Sequence, residues 1–97
     1  MSREGWTFLT NHGHVYLSLA GNPSWRLRDV AAYIGITERA VQKIVTELVE
    51  DGYLEKERLG RRNEYRVVPG RPLRHPAESH VQADNLLGLL LSNDSLE

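Results

Sequence analysis

The sequence predicts a mainly α domain carrying one small β-hairpin: a three-helix core, the hairpin, and an extra C-terminal helix. Three observations carry that expectation. Residues 27–46, LRDVAAYIGITERAVQKIVT, read as two short helices joined at Gly35, with Val30, Ile34, Ile36, Val41 and Ile44 at helical apolar spacing and Ala31 at the close contact. Residues 53–58 and 63–68 alternate around Gly60, Arg61 and Arg62, the pattern of a hairpin with its tip at the glycine. Upstream, Val15, Tyr16 and Leu19 form the apolar stripe of a supporting helix.

Taken in order, residues 1–5 are expected to fray, while Trp6 and Phe8 are large enough to cover the core of a small domain. Thr10 or Asn11 caps a first helix that runs to about Ala20, where Gly21, Asn22 and Pro23 stop it. Trp25 to Leu27 is expected to form a very short strand paired with the later hairpin. Asp29 caps or opens the second helix, and Gly35 ends it. Thr37 is the N-cap of a third helix reaching Asp51, terminated by Gly52 in a left-handed conformation. In the hairpin, Leu54, Tyr65 and Val67 point at the helices, and Pro69, Gly70 and Pro72 end it. Pro76 limits what precedes it, so the last helix is expected from about Ala77 to Leu91.

Ninety-seven residues fit one small domain. Such a domain buries only about 60–65% of the surface its unfolded chain exposes, which favours an added subunit interface. The absence of cysteine excludes disulfides, thiolate metal sites and a cysteine nucleophile. The longest apolar run falls far short of the roughly 20 residues of a membrane span, so a soluble, cytoplasmic protein with no membrane partner is expected. Net charge is −1, but it is unevenly spread. Residues 53–75 hold seven basic side chains against three acidic ones, a net of +4, whereas residues 76–97 hold four acids and no base.

The order helix, short strand, helix, turn, helix, hairpin is that of a winged helix-turn-helix. Over about residues 8–76 the chain resembles the DNA-binding domains of the MarR and ArsR regulator families. RLRDVAAYIGITERAVQKIVTELVEDGYLEKERLGRRNEYRV carries the likeness, down to the GYLEKER turn into the wing. GRRNEY followed by PLRHP is similar to a group of short bacterial helix-turn-helix proteins described as transcriptional regulators. The resemblance implies a bacterial regulator whose third helix enters the major groove, with the wing on the backbone or in the minor groove. Two departures limit it. The long flanking helices through which MarR-type proteins dimerise and bind aromatic ligands are missing, so no ligand pocket carries over and no small-molecule effector is indicated. The cysteine metal sites of arsenic repressors are missing as well.

At 100° per residue, Ala40, Val41, Ile44, Val45 and Leu48 share one face of the third helix, opposite Arg39, Gln42, Lys43, Thr46 and Glu50. Arg39, Gln42, Lys43 and Thr46 supply the donors and acceptors that major-groove base edges require. Thr37 and the helix N-terminus suit a phosphate. Glu38 suits the helix dipole or a cytosine amine. Arg58, Arg61, Arg62 and Arg66 suit phosphates or a narrow minor groove, against the plainer role of blunting edge pairing. Asn63 shapes the turn, and Tyr65 belongs to the core.

His12 and His14 lie two residues apart, so on a helix their rings point about 200° from each other and cannot grip one metal. His75 and His80 add no ligand motif, and no nucleophile motif or phosphate loop is present. No catalysis, cofactor or metal is expected. Val81, Leu86, Leu87, Leu89, Leu90 and Leu91 make the last helix too apolar for an exposed face. Val81, Leu86, Leu87, Leu90 and Leu91 are therefore expected to pair two chains into a homodimer, the alternative being packing in cis onto the first helix.

The expected organisation is a DNA-binding domain over 1–76, a dimerising helix over 77–95, and a cloning remnant at 96–97. Double-stranded DNA is the expected partner. A winged helix used for protein contact is the rival, kept alive by the weak net charge, and a metal-responsive repressor is a distant third.

Overall fold

The computed structural model describes residues 5–91, in the order α1 (Asn11–Gly21), α2 (Leu27–Ile34), α3 (Glu38–Glu50), β1 (Leu54–Leu59), β2 (Arg62–Val67) and α4 (Asn85–Leu90). Residues 1–4 of the expected frayed start, and 92–97 at the end with Leu96 and Glu97, lie outside the described residues.

Local chemistry sets the helix ends. The Thr10 hydroxyl accepts from the Gly13 amide at 3.4 Å and starts α1. In α2 the expected cap works from inside: Asp29 stands in the third helical position, and its carboxylate accepts from the Arg26 amide at 3.1 Å. Gly35, at φ +90°, closes α2 by donating to the Ala31 carbonyl at 2.8 Å. Two residues later the Thr37 hydroxyl accepts from the Ala40 amide at 3.0 Å and opens α3. Gly52, at φ +86°, lets the Tyr53 amide reach back to the Leu48 carbonyl at 2.8 Å, which turns the chain from α3 into β1.

The two strands form an antiparallel pair with Leu59 opposite Arg62 and Leu54 opposite Val67. Gly60 and Arg61 alone make the loop, with φ +64° at Gly60 and a negative φ at Arg61, the sign pattern of a type II′ turn. Arg62 thus belongs to β2 rather than to the tip.

Val15 and Leu19 of α1, Val30 of α2, Val41 of α3 and Leu54 of β1 are fully enclosed and form the centre of the core. Each contributes roughly 1.5–3 kcal/mol of hydrophobic stabilisation. Tyr16, Val45 and Tyr65 close around them, so α1 touches both other core helices and β2. This places α3 with one face against α1 and α2 and the other in solvent.

Three expectations fail. Residues 25–27 form no strand, because the Trp25 amide turns back to the Asn22 carbonyl and α2 begins at Leu27. The loop meets the hairpin where the Tyr65 amide donates to the Pro23 carbonyl at 3.2 Å and the Ser24 hydroxyl donates to Glu64 at 3.0 Å. Trp6 and Phe8 do not cover the core: they are 78% and 91% exposed, and stack edge to face on each other at 5.0 Å. The last helix is much shorter than 77–91. Residues 71–73 and 81–83 pair instead through an antiparallel bridge between Pro72 and Gln82, with Leu73 donating to the Val81 carbonyl and Ala83 to the Arg71 carbonyl at 2.7 Å. These bonds commit the backbone that a longer helix would need, and bury Ala83. Helical pairing resumes only at the leucine-rich α4.

Candidate nucleic-acid interface

α3 has the two faces its spacing predicts. Val41, Ile44, Val45 and Leu48 are buried, and Arg39, Gln42, Lys43 and Thr46 are exposed along the opposite side with Glu50. Thr37 and Glu38 stand exposed at its N-terminus, where three of the first backbone amides of a helix lack intrahelical partners once one is capped. The exposed stripe is polar without being bulky. From Arg39 to Thr46 it presents donors and acceptors over about two helical turns, on a helix of the diameter that a major groove admits.

The wing also has two faces, and they differ in charge. Opposed residues share a face. One face carries Leu54 with Val67, Lys56 with Tyr65, and Arg58 with Asn63; Leu54 and Tyr65 are buried against the helices, and Lys56 and Arg58 extend the same face outward. The other carries Glu55 with Arg66, Glu57 with Glu64, and Leu59 with Arg62. There Arg66 stands 3.2 Å from Glu55 and 3.8 Å from Glu57, so two carboxylates offset its charge. Glu64 accepts from the Ser24 hydroxyl at 3.0 Å, which eases its placement opposite Glu57. Arg58 braces the tip through its Nε, which donates to the Gly60 carbonyl at 2.9 Å, leaving its outer nitrogens toward solvent.

The basic segment is therefore weaker as a phosphate surface than its net charge. Arg71 donates to the Asp51 carbonyl at 3.0 Å and Arg74 pairs with the Asp51 carboxylate at 3.2 Å, so both fold back onto the end of α3. There they offset the negative end of the helix dipole. Among the described residues of α3 and the wing, Arg39, Lys43, Lys56, Arg61 and Arg62 are exposed cations whose side chains make no hydrogen bond or ion pair. Lys56 is absent from the expected contact set, although alternation in β1 puts it on the Arg58 face. Arg28, exposed near the start of α2, is a second cation that the sequence reading left out.

On the flank of α3, Glu47 accepts from His12 of α1 at 2.6 Å. That hydrogen bond outweighs the opposing effect of burial and, with smaller help from the His12, Lys43 and Arg74 charges, holds the Glu47 carboxyl below its ordinary value.

The residues expected to pair two chains are divided by the short α4. Val81 sits half-buried in the bridge, and Leu86 and Leu87 are half-buried, with Leu87 packed against the core. Leu89, Leu90 and Leu91 are exposed. Leu90 and Leu91 border a cleft with Tyr33, which is also exposed. Among the described residues, no three His, Asp or Glu side chains are grouped to hold a metal ion, and no helix is long and apolar enough to cross a membrane.

Solved structures carry the fold beyond this chain. The chain is similar to the PcaV transcriptional regulator from Streptomyces coelicolor, solved with its natural ligand, at 19% identity and a TM-score of 0.54, over 88% of this chain and 62% of that one. It also matches the zinc-dependent MarR family transcriptional regulator AdcR in its Zn(II)-bound state, at 26% identity and a TM-score of 0.48, over 68% of this chain and 46% of that one. The chain thus spans less than two thirds of either regulator. No protein-family model and no curated protein matches it. The architecture is a winged helix-turn-helix, mainly α with a small β-hairpin, shared with the regulator PcaV.

Proposed function

We propose that this chain binds double-stranded DNA in a sequence-dependent manner, as a bacterial transcriptional regulator working in the cytoplasm. The carrying observation is the exposed stripe Arg39, Gln42, Lys43 and Thr46 on a helix whose opposite face is locked into the core. A reading helix needs such rigidity, since base-edge hydrogen bonds tolerate little displacement. In this reading α3 lies in the major groove, with Arg39 and Gln42 as the residues for guanine and adenine. Lys43, Thr46, Thr37 and the helix N-terminus meet backbone and neighbouring bases, and Glu38 tunes the first turn. Lys56, Arg58, Arg61 and Arg62 of the wing supply much of the affinity, and Arg66 supplies less because Glu55 and Glu57 hold it.

The working unit in this reading is a homodimer. Leu89, Leu90 and Leu91, exposed beside Tyr33, are the apolar surface that a second chain would cover. Two reading helices about 34 Å apart would then address a palindromic site.

One observation favours a second reading, protein contact through the wing: its Glu55, Glu57 and Glu64 face is acidic and would repel phosphates. Selection of bound duplexes from a random pool separates the two. Enrichment of a motif, with half-sites near one helical turn apart, is expected. Recovery of random sequence alone would overturn the regulator reading.

A further inference from the structure

Behind the reading helix lies a cavity of about 490 Å³, between the start of α1, the end of α3 and the strap formed by residues 71–86. Pockets of about 300–1,000 Å³ are the usual size for small organic ligands. Leu9, Leu48, Tyr53, Leu73, Ala83 and Leu86 make its walls apolar. The Pro72–Gln82 bridge closes the strap on itself, and the Tyr53 hydroxyl, donating to the Pro72 carbonyl, ties it to the domain.

Packing leaves two features of this cavity unexplained. Tyr16 lines it and is 4% exposed, yet its hydroxyl has no hydrogen-bond partner. Buried polar groups are almost always paired, so the Tyr16 hydroxyl would gain from any acceptor admitted beside it. Burial, with smaller effects of Asp84 and Tyr53, pushes the Tyr16 phenol up to about 12. The second feature is the charge of the rim. Glu47 and Asp51, one turn apart on α3, and Glu78 on the strap all line the cavity, against the single guanidinium of Arg74. Arg74 is already paired with Asp51, and Glu47 is hydrogen-bonded to His12. His75 accepts from the Ala77 amide through Nδ1. The Glu78 carboxylate has no hydrogen bond or ion pair among the described residues.

We infer that the cavity binds an amphipathic organic cation: a flat apolar body against the leucines and Tyr53, an acceptor atom facing the Tyr16 hydroxyl, and an ammonium group at the Glu78 side of the rim. The charge balance disfavours the mirror-image ligand. An anion would meet the unpaired Glu78 carboxylate, while Arg74, its one candidate partner, is already engaged by Asp51.

A matched series tests the inference on the intact protein without DNA, so its outcome is independent of the DNA-binding reading. Naphthyloxyethylamine, naphthyloxyethanol and naphthyloxyacetate share one aromatic body and one ether oxygen, and differ only in terminal charge. Calorimetric titration should rank the amine first and the acid last, with roughly tenfold between them. Glu78→Gln should weaken the amine by about threefold and leave the alcohol unchanged. Tyr16→Phe, which keeps the ring shape, should weaken both. Equal affinity for amine and acid, no binding of any member at millimolar concentration, or indifference to both substitutions would overturn the inference. Sedimentation run in parallel covers self-occupancy: a dimer that excludes all three compounds overturns it too.

Discussion

His12 Nε2 and Glu47 Oε1 meet at 2.6 Å, joining the first turn of α1 to the flank of α3 across 35 positions of sequence. The contact holds the Glu47 carboxyl below its ordinary value of 4.5. A carboxyl whose value is depressed by folding stabilises the folded state above the unfolded value. That contribution is lost as the pH falls through the folded one. Denaturation midpoints measured from neutral pH downward should therefore drop more steeply below about 4.5 for the native chain than for Glu47→Gln. Both residues are about half exposed, so the difference should shrink in high salt.

Tyr16 and Tyr53 make opposite predictions for the same substitution. The Tyr53 hydroxyl donates to the Pro72 carbonyl at 2.6 Å, whereas the Tyr16 hydroxyl is buried without a partner. Tyr53→Phe should cost about 1 kcal/mol, and Tyr16→Phe should stabilise by about 1 kcal/mol. Urea denaturation of the two variants reads both signs. Tyr16 also sets an alkaline limit: its folded value near 12 exceeds the ordinary 10, so stability is intact below 10 and falls as the pH rises toward 12. Tyr16→Phe should flatten that limb.

Gly52 is required twice. Its φ of +86° is disfavoured for residues with a Cβ, and an added Cβ would lie 3.3 Å from Arg71 Nε. Gly52→Ala should destabilise by about 1–2 kcal/mol. The check is a lowered thermal midpoint with an unchanged far-ultraviolet helix signal at low temperature.

In the wing, Arg61, Arg62 and Arg66 should rank by their partners rather than by sequence position. Arg61→Ala and Arg62→Ala should each reduce nonspecific duplex affinity and lower the salt slope by about one. Arg66→Ala should change both less, because Glu55 and Glu57 already offset its charge. Fluorescence anisotropy on one duplex gives the order; a larger loss from Arg66 would contradict its offset by Glu55 and Glu57.

Local signals made most of the fold legible. Thr10, Thr37, Gly35 and Gly52 act through neighbours three to five residues away, and the apolar spacing of Val41, Ile44, Val45 and Leu48 fixes the orientation of α3 by itself. What stayed hidden depends on distant partners. Nothing near Pro72 announces Gln82, so the bridge that shortens the last helix and encloses the cavity could not be read from periodicity. The same holds for Arg66, Arg71 and Arg74. Their charge is plain in sequence, but the carboxylates and carbonyl that occupy them appear only when the chain is folded. Trp6 and Phe8 mislead in the other direction, since size and apolarity predict burial but they find only each other.

Titration of a short nonspecific duplex at 50 and 200 mM salt tests DNA binding most directly. With about six phosphate contacts from α3, the wing and Arg28, affinity should fall on the order of a thousandfold across that interval. Absence of binding even at the lower salt, or affinity that stays level between the two, would contradict the assignment.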